Sequence, residues 1–537
     1  MKQILTISIS LCMLAACTGS NTKKDPGAKE SIVPRNYAIT PANAYNDIFL
    51  DSLAMEKYIG TAKLNDTIAN AMRSFYNARN YQFAWFSSKG LSEQALGFRS
   101  LYDYSKDSSE SKALEAKLDD LVGEDSVDVT PGDAGYIKTE LQLTQRFLQY
   151  AEKTFEDENI RREQLAYFIP ISKNKILPMA DSILADKENR RYAKSNGNYG
   201  ELKEQLARYR EIAQKGGWPA LEIDKKKRFK KGDQGPEILA IKKRLAVTGE
   251  LNAADTSAVF DDALESGVKI FQQRHGYTGT GVVSDTLIRQ MNVPVLTRIQ
   301  QLLINMERMR WLPARPEGKL LMVNIPEFML HATENGKSAF DMPVVVGKEG
   351  HSTVMFFGAM NQVVFSPYWN IPASIVRKEI LPAQGRNASY LENNNMEVTG
   401  ERNGLPVVRQ KPGPKNSLGK VKFLFPNSFN IYFHDTPAKD LFNRDNRAYS
   451  HGCIRLSDPA KMANYVLQDN PDWTAEKIDS AMNAGKEKYV KIKDPLPVMI
   501  TYYTAWVDDN KTLHFRDDIY NHDGAVARKM FEDPQPE

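Results

Sequence analysis

Apolar positions recur at helical spacing through the first half of the chain and at alternate positions through much of the second. From about Asp47 to Phe229 the pattern predicts helices. Asp51-Ser52-Leu53-Ala54 opens an amphipathic run, Leu114, Leu118 and Leu121 share a face, and Leu141, Phe147 and Tyr150 do so less regularly. The aromatic run Tyr81–Phe86, closed by the turn Ser87-Ser88-Lys89-Gly90, reads as packing between helices. Residues 230–293 predict three short helices: Ile238, Ile241 and Leu245 mark the first, Leu264, Val268 and Phe271 the second, and Ser284 caps the third. Leu296, Ile299, Leu303 and Met306 mark one more helix.

From Lys319 the period becomes two. Leu320–Ile325, Phe328–Ala332, Met342–Gly347, Gln362–Ser366, Val421–Phe425, Phe429–His434 and Val498–Tyr503 read as strands. Asn335-Gly336 between two of these runs signals a tight hairpin. Ser457-Asp458-Pro459 and Thr474-Ala475-Glu476 open helices. Between Ile371 and Val421 the strands are broken by turn-rich text, which predicts an insertion that is either a lid or disordered. The fold class is therefore multidomain α+β: a helical domain, a three-helix module and a mostly-β domain of sandwich or barrel type, carrying an insertion.

A length of 537 residues agrees with three or four such units. The net charge of +4, or +3 without Lys2, argues against a nucleic-acid partner. The basic run Lys225–Lys231 reads as a solvated linker. The N-terminus stands apart. Lys2, the apolar stretch Ile4–Leu14 and the small residues Ala15-Ala16 form an export signal too short for a membrane span. Leu14-Ala15-Ala16-Cys17 resembles the bacterial lipoprotein box, which implies cleavage after residue 16 and lipidation of Cys17; a plain secretory signal is the alternative. Residues 17–45 then form a flexible tether, and the expected location is the cell envelope, facing the periplasm, in either membrane.

Three cysteines are present, and two of them, Cys12 and Cys17, belong to this leader. Cys453 is then the one free thiol of the mature chain. His434 precedes it by 19 residues in a strand-like run, so the two are a candidate nucleophile and base. An inert buried thiol is the other reading. His434 and His451 lack a third ligand at metal spacing, no Gly-rich phosphate loop occurs, and no cofactor is expected. His351, His514 and His522 read as surface or loop residues.

His434, a spacer of 15 residues and then Ser450-His451-Gly452-Cys453-Ile454-Arg455 resembles the signature of the L,D-transpeptidase, or YkuD-type, catalytic domain. Ser366-Pro367-Tyr368-Trp369-Asn370 and Glu307-Arg308-Met309-Arg310-Trp311 are similar to its large, scaffold-bearing members. Gly235-Pro236, Phe271-Gln272, His275-Gly276 and Gly281-Val282 resemble the common peptidoglycan-binding module, although Thr280 stands where that module carries an acidic residue.

The resemblance implies a scaffold at 46–229, a wall-binding module at 230–293, a connecting helix at 294–318 and a catalytic domain at 319–537, capped by an insertion at about 374–420. It implies Cys453 as nucleophile, His434 as base, and His451 and Gly452 shaping the oxyanion environment. Tyr432, Trp369, Ser450 and Arg455 would line the substrate site. The implied reaction is a 3→3 cross-link between peptidoglycan stem peptides. Hydrolysis of the same acyl-enzyme, as a carboxypeptidase or amidase, is the alternative, and a non-catalytic wall-binding protein is a rival of another class.

Overall fold

Short polar side chains set where the first helices start. Asp51 accepts from the Leu53 amide at the head of Ser52–Thr61, and Asn65 accepts from the Ile68 amide at the head of Asp66–Ala78. Each satisfies an amide that the helix itself leaves unpaired. This computed structural model describes residues 32–104, 128–155, 169–186, 197–224, 226–252, 256–311, 318–427 and 429–532, with Leu114, Lys117, Leu118 and Leu121 between. The expected signal segment, Cys17 and the polar tract after it lie outside these residues. Among the described residues no helix is long and apolar enough to cross a membrane.

Helices Glu93–Tyr104, Ala134–Phe155, Ile176–Ala185 and Gly197–Gln214 complete the N-terminal region. The aromatic run Tyr81–Phe86 lies at its centre, packed with Phe75, Tyr76, Phe98 and Phe147. Its chain direction is fixed by one buried carboxylate. Glu140 accepts from the amides of Ala84 and Trp85 at 2.6 and 3.0 Å and from the Tyr76 hydroxyl at 2.9 Å. Burial pushes this carboxyl up to about 7 despite those donors.

The tether ends earlier than residue 45. Ile39, Ala44 and Tyr45 are buried, and the Asn36 amide bonds to the Asn77 carbonyl at 2.9 Å. Polar spacing made 32–45 look like linker, but three apolar residues in it are enough to dock it on the helices.

The three-helix module comprises Pro236–Thr248, Asp262–Arg274 and Asp285–Met291 around Ile238, Leu245, Leu264, Phe271 and Met291. Leu221 and Phe229 belong to the same core, so the unit reaches back past residue 230. Lys227 and Lys231 of the basic run pair with Glu237 and Asp262 at the surface. The helix Val295–Met309 bridges the parts. Ile299, Leu302, Leu303 and Met306 pack with Leu202, Leu206 and Tyr209 of the N-terminal region and with Ala505, Val507 and Phe515 of the C-terminal one. Leu296, expected on that apolar face, is exposed.

The C-terminal domain is built on a nine-stranded sheet: β1 (Lys319–Asn324), β2 (Met329–Glu334), β3 (Lys337–Gly347), β4 (Phe356–Phe365), β5 (Val421–Leu424), β6 (Phe433–His434), β7 (Ala448–Ser450), β8 (Ile454–Leu456) and β9 (Lys488–Thr501). The order is β7-β3-β8-β6-β5-β4-β9-β1-β2, and β2 pairs again with β3, so the sheet closes on itself. The Asn335-Gly336 turn has both residues at positive φ, +51° and +76°, as a tight hairpin requires. Alternation places Val363, Phe423, Phe433, Ile454 and Val490 in one apolar core. The run Phe429–His434 is a strand only at Phe433 and His434. Asn430 sits at φ +54°, and the Asn427 side chain bonds to the amides of Phe429 and Ile431 and to two carbonyls, holding a turn instead.

The insertion is a folded unit. Trp369–Asn370, Leu405–Gln410 and Met396–Arg402 form a three-stranded sheet, joined by short helical turns over residues 373–393. Its own core is Ile371, Ile375, Val376, Ile380 and Val408.

Candidate active site

β6 and β8 run parallel, with Phe433 opposite Ile454 and His434 opposite Arg455. The ladder continues one residue back, where the Ile454 amide bonds to the Tyr432 carbonyl at 3.1 Å. Phe433 and Ile454 are in the core, so Tyr432, His434, Cys453 and Arg455 share the opposite face. The sequence motif, split over 22 residues, therefore converges on one patch: Tyr432 beside Cys453, and His434 beside Arg455 one row along. The rings of Tyr432 and His434 are 5.7 Å apart.

His434 is buried, and its Nδ1 donates to the Asp435 carbonyl. A carbonyl can only accept, so Nε2 carries the lone pair. Burial, with the Arg455 guanidinium next, pushes the imidazole down to about 3. The Asp435 carboxylate in turn accepts from the Lys420 and Thr436 amides at 2.9 and 2.7 Å.

Cys453 is half-buried, and its Sγ donates to the Asn430 carbonyl at 3.5 Å. Tyr432 stands beside it across the β6–β8 ladder. Burial pushes the thiol up to about 11, against the opposing pull of Tyr432 and Arg455. Both shifts favour the uncharged thiol and the uncharged imidazole over the thiolate–imidazolium pair that lone-cysteine chemistry suggests. Arg455 is half-buried, with Nε enclosed and without a partner among the described residues.

The loop before the thiol is held from two sides. Ser450 Oγ donates to the Cys453 carbonyl at 2.5 Å. Thr353 Oγ1 donates to the Gly452 carbonyl at 2.8 Å while accepting from the Gly347 amide at 2.9 Å. Gly452 has φ +104°, which a side chain would oppose. Gly347 leaves no space for a Cβ, which would meet the His351 carbonyl at 2.1 Å. Tyr520 donates to the Gly347 carbonyl from the far side.

His451 contacts the insertion, its Nε2 2.9 Å from Glu379 Oε1, with the His351 ring 4.9 Å from its own. Trp369 packs at the root of the insertion against its apolar cluster. Sequence reasoning missed Asn430, Thr353, Tyr520 and Glu379. Each acts through the backbone or from a distant segment, where no local pattern marks it. His514 and His522, expected at the surface, are half-buried; His514 stacks on Trp506 and pairs with Asp508 at 2.8 Å.

Residues 318–525 match the family described as "L,D-transpeptidase catalytic domain". The chain carries an L,D-transpeptidase catalytic domain. Residues 70–206 match "Scaffold domain" and residues 234–291 match "Putative peptidoglycan binding domain". A Haemophilus influenzae protein named "Putative L,D-transpeptidase" is 30% identical over 243 residues, 42% of this chain and 49% of that protein, so about half of that relative's length is spanned. Among solved structures, the L,D-transpeptidase from Mycobacterium smegmatis aligns at 14% identity and TM-score 0.19 over 34% of this chain and 58% of that one. The L,D-transpeptidase from Stackebrandtia nassauensis aligns at 14% identity and TM-score 0.22 over 52% and 96%. The assignment of the L,D-transpeptidase domain rests on the family match and on the complete motif around Cys453, not on these superpositions.

Proposed function

We propose that this chain is a lipid-anchored envelope enzyme that forms 3→3 cross-links between peptidoglycan stem peptides. The observation that carries the reading is the placement of His434 and Cys453 on one face of two adjacent parallel strands, with Nδ1 tied down and the Nε2 lone pair left free to accept. The thiol proton passes to His434 Nε2 as Sγ attacks the carbonyl of the third stem residue, a diamino acid. Because both groups rest neutral, proton transfer accompanies attack instead of preceding it. The backbone amides of Gly452 and Cys453 receive the oxyanion, a contribution of about 3 kcal/mol per donor. The C–N bond to the terminal D-alanine breaks, and the proton from His434 leaves with that amine. A side-chain amine of a second stem then attacks the thioester, gives up a proton to His434 and frees the thiolate, which is reprotonated. Arg455, with its enclosed Nε, supplies a positive partner for a substrate carboxylate. Lipidation of Cys17 would hold the three domains at a membrane.

Mass spectrometry of the protein mixed with purified stem tetrapeptide tests this. A thioester adduct, released D-alanine and a cross-linked dimer are expected. Adduct followed by free tripeptide without dimer would make it a hydrolase, and the absence of any adduct would leave a wall-binding protein.

A further inference from the structure

The open face of the sheet continues well past the thiol. In register, Lys491 of β9 pairs with Gln362 of β4, and Gln362 with Leu424 of β5. The β5–β6 ladder, Lys422 to His434 and Phe423 to Phe433, places Leu424 opposite Tyr432, and Tyr432 stands opposite Cys453. Five strands thus present Cys453, Tyr432, Leu424, Gln362 and Lys491 as one row, while the neighbouring row, Val363, Phe423, Phe433, Ile454 and Val490, fills the core. Tyr432, Leu424, Gln362 and Lys491, with Asn430, line a single cleft of about 500 Å³. Among the described residues, no residue of the insertion lines this cleft.

Two features of this cleft point to a ligand. The thiol is bonded to a residue of the cleft's wall, the Asn430 carbonyl at 3.5 Å, so Sγ stands next to the Asn430–Tyr432 end of the cleft. At the far end Lys491 is exposed and has no ion pair among the described residues, and the Gln362 amide likewise has no partner. Four inter-strand steps of about 4.8 Å separate the ends of the row, roughly 19 Å. The reacting carbonyl belongs to the third residue, and the three residues that end there span roughly 10–11 Å when extended. A lysine side chain covers the remainder.

We propose that this row is the floor of the groove for the acyl-donor peptide, which lies extended across the strands with its reacting carbonyl at Cys453 and a carboxylate paired with Lys491. The proposal rests on the transpeptidase reading and adds the direction of the donor, a peptide bearing a free carboxylate, and a specificity residue for it. Lys491 is a surface side chain on a long strand, so replacing it leaves the fold intact.

The test is the rate of Cys453 acylation, followed by mass spectrometry against donor tetrapeptide concentration, for wild type, Lys491→Gln and Lys491→Glu. Iodoacetamide alkylation of Cys453 serves as the control for an intact site. Expected are a rise of tenfold or more in half-saturating donor for Lys491→Glu, a smaller rise for Lys491→Gln, and an unchanged maximal rate. Amidating the donor's carboxylates should weaken binding to wild type and add nothing in Lys491→Gln. Unchanged half-saturation in the variants overturns the groove. An effect confined to transfer from the thioester to the amine also overturns it, by moving the donor elsewhere. If wild type itself takes no acyl group from the tetrapeptide, it is the transpeptidase reading that has failed.

Discussion

His451 and Glu379 join the motif loop to the insertion: the imidazole Nε2 lies 2.9 Å from the carboxylate, although 72 residues separate the two in sequence. Both side chains are partly exposed, so the pair contributes about 1 kcal/mol or less to stability. Its consequence is for the insertion's position. Glu379→Ala should leave the unfolding midpoint almost unchanged while raising KM for stem peptides several-fold. Proteolysis within residues 371–410 should quicken in the same variant. Unaltered KM and proteolysis would show that the contact holds nothing in place.

Thiol reactivity follows from the neutral resting pair. With the thiol pushed up to about 11 and the imidazole down to about 3, almost no thiolate exists at pH 7. Alkylation by iodoacetamide should be slow at neutral pH and climb about tenfold per pH unit through the range 8–10, read against Cys453→Ala to subtract other thiols. A rate already level from pH 5 upward would mean a thiolate–imidazolium pair.

His434 also ties stability to pH. Its folded value is depressed to about 3, below the unfolded value of about 6.5. The folded chain therefore binds fewer protons at this site, and the contribution is present above pH 6.5 and lost as pH falls toward 3. Wild type should lose stability between pH 6.5 and 4 more steeply than His434→Gln. Parallel denaturation profiles of the two would contradict the assignment.

Thr353 fastens the loop before Cys453, accepting from the end of β3 and donating to the Gly452 carbonyl of that loop. Thr353→Val keeps the shape and removes both bonds, leaving the Gly347 amide and the Gly452 carbonyl buried and unpaired. Each costs about 1–3 kcal/mol. If the Gly452–Cys453 peptide is the proposed oxyanion donor, acylation falls by more than the loss of folded protein explains. Thr353→Ser should recover both.

The division into helical and strand regions was legible because it depends on apolar period, and the motif pointed to His434 and Cys453, which the fold brings to one face of two adjacent strands. What escaped was whatever depends on a second segment. Asn430 reads as part of a strand until the turn built by Asn427 brings its carbonyl to the thiol. Glu379 is one of many acidic residues until the insertion folds over His451. The neutral state of the thiol was missed for the same reason: desolvation is a property of the assembled domain, whereas an unperturbed thiol and imidazole suggest a ready ion pair. Residues 32–45 misled in the other direction, since a few apolar anchors in polar text suffice to pack a segment.

Arg308 holds the three parts together and gives the sharpest test of their coupling. It lies on the bridging helix, with Nη2 3.1 Å from Glu93 of the N-terminal region, and it pairs through Nη1 with Asp523 near the C-terminus. Its guanidinium stands over the Tyr502 ring at 5.3 Å. The two carboxylates hold its pKa above the ordinary value although burial opposes them. Arg308→Met leaves two partly buried carboxylates facing each other's field without a cation. Loss of one partner from a buried network costs about 3–5 kcal/mol. The double variant Arg308→Met/Glu93→Gln should regain part of that loss, because one stranded charge is removed with its partner. If Arg308→Met unfolds within about 1 kcal/mol of wild type, the buried cluster is not what joins the scaffold to the transpeptidase domain.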